Sequence, residues 1–114
     1  MRHLFSFLLS LILLGCAATI YKPLKINGVS FVASGQSIDS SNVMPVVNVN
    51  SNYAAVMPFG FIRNLEHPEI VHNTERQWFG ETRAGAKQYI EELRKERINV
   101  MIKPQIWVHK GEFT

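Results

Sequence analysis

Residues 100–109 alternate along the chain, with Val100, Ile102, Pro104, Ile106 and Val108 in one row and Met101, Lys103, Gln105, Trp107 and His109 in the other. A strand sends successive side chains to opposite faces, so this stretch predicts one apolar, largely β-branched face and a second face that becomes polar toward its C-terminal end. Residues 25–33 predict an earlier strand with Val29, Phe31 and Ala33 on one face, and Gly28 marks a bulge or a close backbone approach. Residues 53–61 predict another, apolar on both faces as a covered parallel strand requires, with Pro58 removing one ladder donor. Helical spacing dominates residues 81–97: Ala86, Tyr89, Ile90, Leu93 and Arg97 share a stripe, Lys87, Glu91, Glu92, Arg94, Lys95 and Glu96 turn outward, and Asn99 closes the helix. A shorter helix runs through Val43, Val46 and Val47, capped by Asp39, Ser40 or Ser41 and holding Pro45 in its first turn. Residues 62–77 read as one long polar connection, of the kind that is functional or mobile in compact domains.

The order strand, helix, strand, loop, helix, strand amounts to two βα units entering a third strand, which predicts an α/β fold with a parallel sheet. Ligand residues in such folds gather at the carboxyl ends of the strands. Lys103, Gln105 and Trp107 fall there, the indole offering a flat face to a sugar ring and its neighbours meeting hydroxyls. The same residues equally suit packing, with Trp107 filling an interior or a subunit contact and Lys103 paired to a buried carboxylate. Gln77-Trp78-Phe79-Gly80-Glu81-Thr82 joins an aromatic pair to a helix start, either across the mouth of a site or into the core, and Glu81 also suits a helix N-terminus.

Other chemistry finds little purchase. His67, His72 and His109 have no spacing of a ligand set, so neither a metal nor another cofactor is expected. Hydrolysis of a glycoside needs two facing carboxyl groups, and no acid falls at the inward end of an expected strand. Gly-x-Ser-x-Gly, Walker-type and Gly-x-Gly-x-x-Gly patterns are missing from the sequence. Twelve basic against nine acidic side chains, a net charge of +3, is too slight for a nucleic-acid groove.

The N-terminal stretch has its own logic. Met1-Arg2-His3 is a short positive start, residues 4–14 are apolar apart from Ser6 and Ser10, and Leu13-Leu14-Gly15-Cys16 follows. That run is too short to span roughly 30 Å of hydrocarbon as a helix but suits a secretory leader. Cys16, the only cysteine, excludes an internal disulfide. Leu-Leu-Gly-Cys resembles the bacterial lipoprotein signal, which implies a signal peptide over residues 1–15, lipidation of Cys16 and a tether over residues 16–24. The chain would then be exported and held at a bacterial membrane, on its periplasmic or cell-surface face, by acyl chains. An ordinary leader with an incidental Cys16 is the other reading.

Four motifs in order, Lys25-Ile26-Asn27-Gly28-Val29-Ser30-Phe31, Val56-Met57-Pro58-Phe59-Gly60-Phe61, Trp78-Phe79-Gly80-Glu81-Thr82 and Val100-Met101-Ile102-Lys103-Pro104-Gln105-Ile106-Trp107, resemble the opening of glycoside hydrolases related to family 113, the endo-β-1,4-mannanases. The resemblance implies that residues 25–114 are the first three strands and intervening helices of a truncated (β/α)8 TIM barrel, a fold that takes about 250 residues. It implies a retaining hydrolase of β-linked, mannan-like polysaccharide whose two glutamates follow strands four and seven, so that this stretch alone is inactive. By position it makes Lys103, Gln105 and Trp107 substrate-side residues of strand three and places Trp78 and Glu81 in the loop after strand two, although Gln105 stands where a histidine is expected. The implied partners are a polysaccharide or oligosaccharide and, through the lipid anchor, a membrane; no nucleic acid is expected. A non-catalytic carbohydrate-binding or scaffold lipoprotein is the competing class.

Overall fold

The computed structural model describes residues 25–111, so the leader, Cys16 and the tether lie outside the described residues. Strand β1 (Gly28–Phe31) is followed by helix α1 (Ser40–Asn48), strands β2 (Tyr53–Val56), β3 (Phe59–Asn64) and β4 (His67–Val71), and a 3-10 turn (Phe79–Glu81). Helix α2 (Arg83–Lys95) and strands β5 (Asn99–Ile102) and β6 (Gln105–Val108) complete the order. One sheet has the order β1-β2-β5, all parallel; the other has the order β4-β3-β6, with β3 parallel to β6 and antiparallel to β4.

The truncated TIM barrel is therefore corrected. Among the described residues, two helices and six strands divided between two three-stranded sheets are not three parallel βα units of a barrel. Two prolines account for much of the difference. The expected strand over residues 53–61 breaks at Met57-Pro58 into β2 and β3, and the one over residues 100–109 breaks at Lys103-Pro104 into β5 and β6. A proline has no N–H for the ladder, and each break carries the chain from the first sheet into the second. The connection expected over residues 62–77 contains the rest of β3 and all of β4, which pair as a hairpin with a register shift between Ile62 and Asn64.

The core lies between the helices and one face of the first sheet. In register across β1, β2 and β5 are Val29, Ala54 and Val100, then Phe31, Val56 and Ile102. Val43 and Val46 of α1 and Ala86, Tyr89 and Leu93 of α2 pack onto that face. Asp39 caps α1, its carboxylate accepting from the Ser41 hydroxyl and backbone N–H while the Asn42 side chain accepts from the Asp39 N–H. The Ser41 hydroxyl, then the Ser41 N–H, holds the Asp39 carboxyl below its ordinary range. Pro45 sits beyond the first turn, with the α1 backbone continuing to Asn48.

Both helices end the same way. At the end of α1, Asn50 (φ 54°) donates to the Val47 carbonyl at 2.9 Å and Ser51 to that of Val46 at 3.2 Å. At the end of α2, Arg97 (φ 60°) donates to Arg94 at 3.0 Å and Ile98 to Leu93 at 3.1 Å. This pair of bonds is the Schellman closure, and buried Ile98 over buried Leu93 supplies its apolar contact. Arg97 is thus outside the buried stripe on which helical spacing put it, and Asn99 opens β5 instead of closing the helix. A left-handed backbone strains any residue with a Cβ, so Arg97→Gly is expected to stabilise the chain by about 1 kcal/mol, read as a raised urea midpoint with an unchanged slope. A lowered midpoint would contradict the strain.

Candidate functional site

The second sheet builds a cleft. In the parallel pairing of β3 with β6, Phe59 lies opposite Gln105 and Phe61 opposite Trp107, so these four alternate residues share one face. The face is flanked by the 74–81 segment, and Phe59, Phe61, Thr74, Arg76, Gln77, Trp78, Glu81 and Trp107 line a cleft of about 540 Å³. Trp78 is 57% exposed and Trp107 is 62% exposed. Large aromatic rings left in water along a concave surface offer flat, partly apolar faces for contact.

The local geometry holds Trp78 in place. The Gln77 amide donates to the Phe59 carbonyl at 2.8 Å and to the Glu81 carbonyl at 3.2 Å, while its oxygen accepts from the Thr74 N–H at 3.4 Å. One half-buried amide therefore ties the segment to β3 and to the 3-10 turn. The turn is seated from below as well, because the Gly80 N–H donates to the Ser34 carbonyl at 2.9 Å. Thr82 then caps α2, its hydroxyl accepting from the Gly85 N–H at 3.0 Å and donating to the Phe79 carbonyl at 2.6 Å.

Of the five residues singled out as substrate-binding, the structure brings Trp78, Glu81 and Trp107 to one cleft. Gln105 is on the same sheet face but lines a neighbouring cavity, and its amide lies 3.5 Å from the Met57 sulfur. Lys103 lies in the bend between β5 and β6, exposed, with its N–H donating to the Val56 carbonyl at 2.9 Å, and it lines neither cavity. Once Pro104 turns the chain, residues 103, 105 and 107 no longer belong to one continuous strand face. Phe59, Phe61 and Gln77 were missed as site residues. Phe-Gly-Phe spacing signals the shared face of the first two, whereas the role of Gln77 depends on a carbonyl eighteen positions away.

Chemically the cleft offers ring faces for stacking and Arg76, Thr74 and Glu81 for hydroxyl groups. Glu81 is its single carboxylate among the described residues. Among the described residues no three His, Cys, Asp or Glu side chains gather closely enough to hold a metal ion, and no helix is long and apolar enough to cross a membrane. No protein-family model matches the chain, and neither a curated protein nor a solved structure shows significant similarity to it.

Proposed function

We propose that this chain is a saccharide-binding lipoprotein that takes a β-linked, mannan-like polysaccharide onto the cleft of Trp78 and Trp107 without cleaving it. The observation that carries the reading is the meeting of two well-exposed indoles and one carboxylate on a single concave surface, built from segments 29 positions apart. Sugar rings present apolar C–H faces and a girdle of hydroxyls, and such a surface matches both. Export and anchoring through Cys16 rest on the Leu13-Leu14-Gly15-Cys16 signal.

The hydrolase reading rests on the four family-113-like motifs. Cleavage requires a second carboxyl group about 5 to 9.5 Å from the first, and among the described residues the cleft presents Glu81 alone. Binding is therefore the reading the geometry favours over turnover.

Titration of the full chain with β-1,4-linked mannohexaose, followed by tryptophan fluorescence, is expected to saturate. Trp107→Ala and Trp78→Ala are each expected to weaken binding by about 2 kcal/mol or more, roughly thirtyfold, as loss of an aromatic anchor does. Lys103→Ala, outside the cleft, is expected to leave it unchanged. Absence of saturation with wild-type protein overturns the proposal, and appearance of shorter oligosaccharides overturns its non-catalytic part.

A further inference from the structure

A second cavity, of about 620 Å³, lies between α2 and the Gly60, Ile70 and Ile106 side of the β4-β3-β6 sheet, and reaches Phe59, Gln105 and Glu81 at its border with the first cleft. Ile70, Ile102 and Ile106 line it, each about half exposed, together with half-buried Ile90 from the helix. Its floor is set by Gly60, over which Ile70 and Ile106 meet: a Cβ there would stand 2.8 Å from Ile70 Cγ2 and 3.2 Å from Ile106 Cδ1. Arg83, Lys87 and Arg94 stand along the helix side, with Glu81 and Glu91 as the acidic members of the lining. Glu91 lies 4.0 Å from Lys87, and among the described residues Arg83 and Arg94 form no ion pair.

We propose that this groove is a binding site for a free, single-chain anionic amphiphile, a long-chain carboxylate, with its alkyl chain over the isoleucines and its head group on an α2 arginine. Size and charge select the occupant. Arg83 and Arg94 are eleven residues apart on one helix, about 16 Å at the α-helical rise. One acyl chain fills half of a bilayer's hydrocarbon, about 15 Å. Basic side chains outnumber acidic ones on the lining, and both unpaired cations lie on the helix wall, which favours a carboxylate over a neutral or cationic head group.

Calorimetric titration of the full chain with sodium dodecanoate below its micelle concentration tests the site. One dodecanoate per chain is expected, bound about tenfold or more tighter than dodecan-1-ol, since a charge-assisted hydrogen bond separates the two. Ile106→Asp, at a half-exposed position, is expected to abolish binding while leaving the far-ultraviolet circular dichroism of the chain unchanged. Arg83→Gln combined with Arg94→Gln is expected to keep binding but erase the preference for the carboxylate. The proposal is overturned by no saturable binding, by equal affinity for dodecanoate, dodecan-1-ol and dodecyltrimethylammonium, by binding that survives Ile106→Asp, or by adhesion to phosphatidylglycerol vesicles without binding of free dodecanoate. Trp78→Ala, in the other cleft, is expected to leave dodecanoate binding intact, so failure of the saccharide reading and failure of this one are separable.

Discussion

Gly85→Ala is expected to cost at least 3 kcal/mol, a large part of the roughly 5 to 15 kcal/mol that stabilises an ordinary domain. Helix propensity alone predicts the opposite sign, because Gly85 lies inside α2 and alanine there is worth about 1 kcal/mol. Packing decides against propensity. A Cβ on Gly85 would stand 1.8 Å from the Phe79 carbonyl oxygen, 2.4 Å from its carbon and 2.8 Å from the Gly80 Cα, all backbone atoms that no rotamer change can move aside. Relief requires the first turn of α2 to part from the 3-10 turn, which breaks the Gly85 N–H bond to Thr82 Oγ1 and the Thr82 hydroxyl bond to Phe79. Urea unfolding measures the difference, with exposed Ala84→Gly as a propensity-only comparison expected to lose about 1 kcal/mol. A Gly85→Ala chain as stable as wild type would mean that helix and turn are not in van der Waals contact.

The parts of this architecture written in local periodicity are visible in the sequence. Ala86, Tyr89 and Leu93 repeat every three or four residues, and all three are buried in α2. Val43 and Val46 do the same in α1 despite poor helix formers around them, because the Asp39 cap and burial against α2 outweigh propensity. The hairpin is another matter. β4 reads His-Pro-Glu-Ile-Val, with four of its five residues exposed, so it lacks the alternation by which a half-buried strand is recognised. Its Pro68 and Glu69 are the residues with which edge strands avoid further pairing, and in one dimension they look like loop. Pro104 hides the other break, since it falls in the apolar row of residues 100–108 and keeps the alternation of the strand that it ends.

The same distinction runs through the candidate site. Trp78, Glu81 and Trp107 were legible as exposed-looking aromatics and a polar group beside expected element ends, and the fold brings them together. Lys103 was placed by extrapolating a strand that bends at Pro104. What gathers the cleft is long-range: β3 must lie parallel to β6 with Phe61 beside Trp107, and the 74–81 segment must be carried over that face by Gln77. The second cavity has the same origin. Ile70, Ile90, Ile102 and Ile106 belong to four elements and share no sequence pattern.

Tyr89→Ala is expected to be the most damaging single change in the core, at about 4 kcal/mol or more, and to carry the cleft of Trp78 and Trp107 with it. Tyr89 has no exposed surface; its ring meets Phe31 edge-on at 5.7 Å and Phe79 at 6.5 Å, and truncating a buried aromatic typically costs about 3 to 5 kcal/mol. Its hydroxyl adds a polar share, donating to the Gln36 carbonyl at 2.9 Å, accepting from the Ser34 N–H at 3.2 Å and lying 2.8 Å from Ser34 Oγ. Tyr89→Phe separates the two contributions. It keeps the ring and deprives half-buried Ser34 of a partner, for an expected loss of about 1 to 3 kcal/mol. The consequence for function follows from Gly80, which packs directly on the hydroxyl, a Cβ there falling 2.6 Å from Tyr89 Oη, and which hydrogen-bonds the Ser34 carbonyl. Ser34 and Gly80 thus hold the 3-10 turn, and the turn fixes Trp78 and Glu81. Tyr89→Phe is expected to weaken mannohexaose binding several-fold at temperatures where the variant remains folded, with its near-ultraviolet circular dichroism altered. Unchanged affinity and spectrum in a measurably destabilised Tyr89→Phe chain would show that the turn keeps its seat without the hydroxyl.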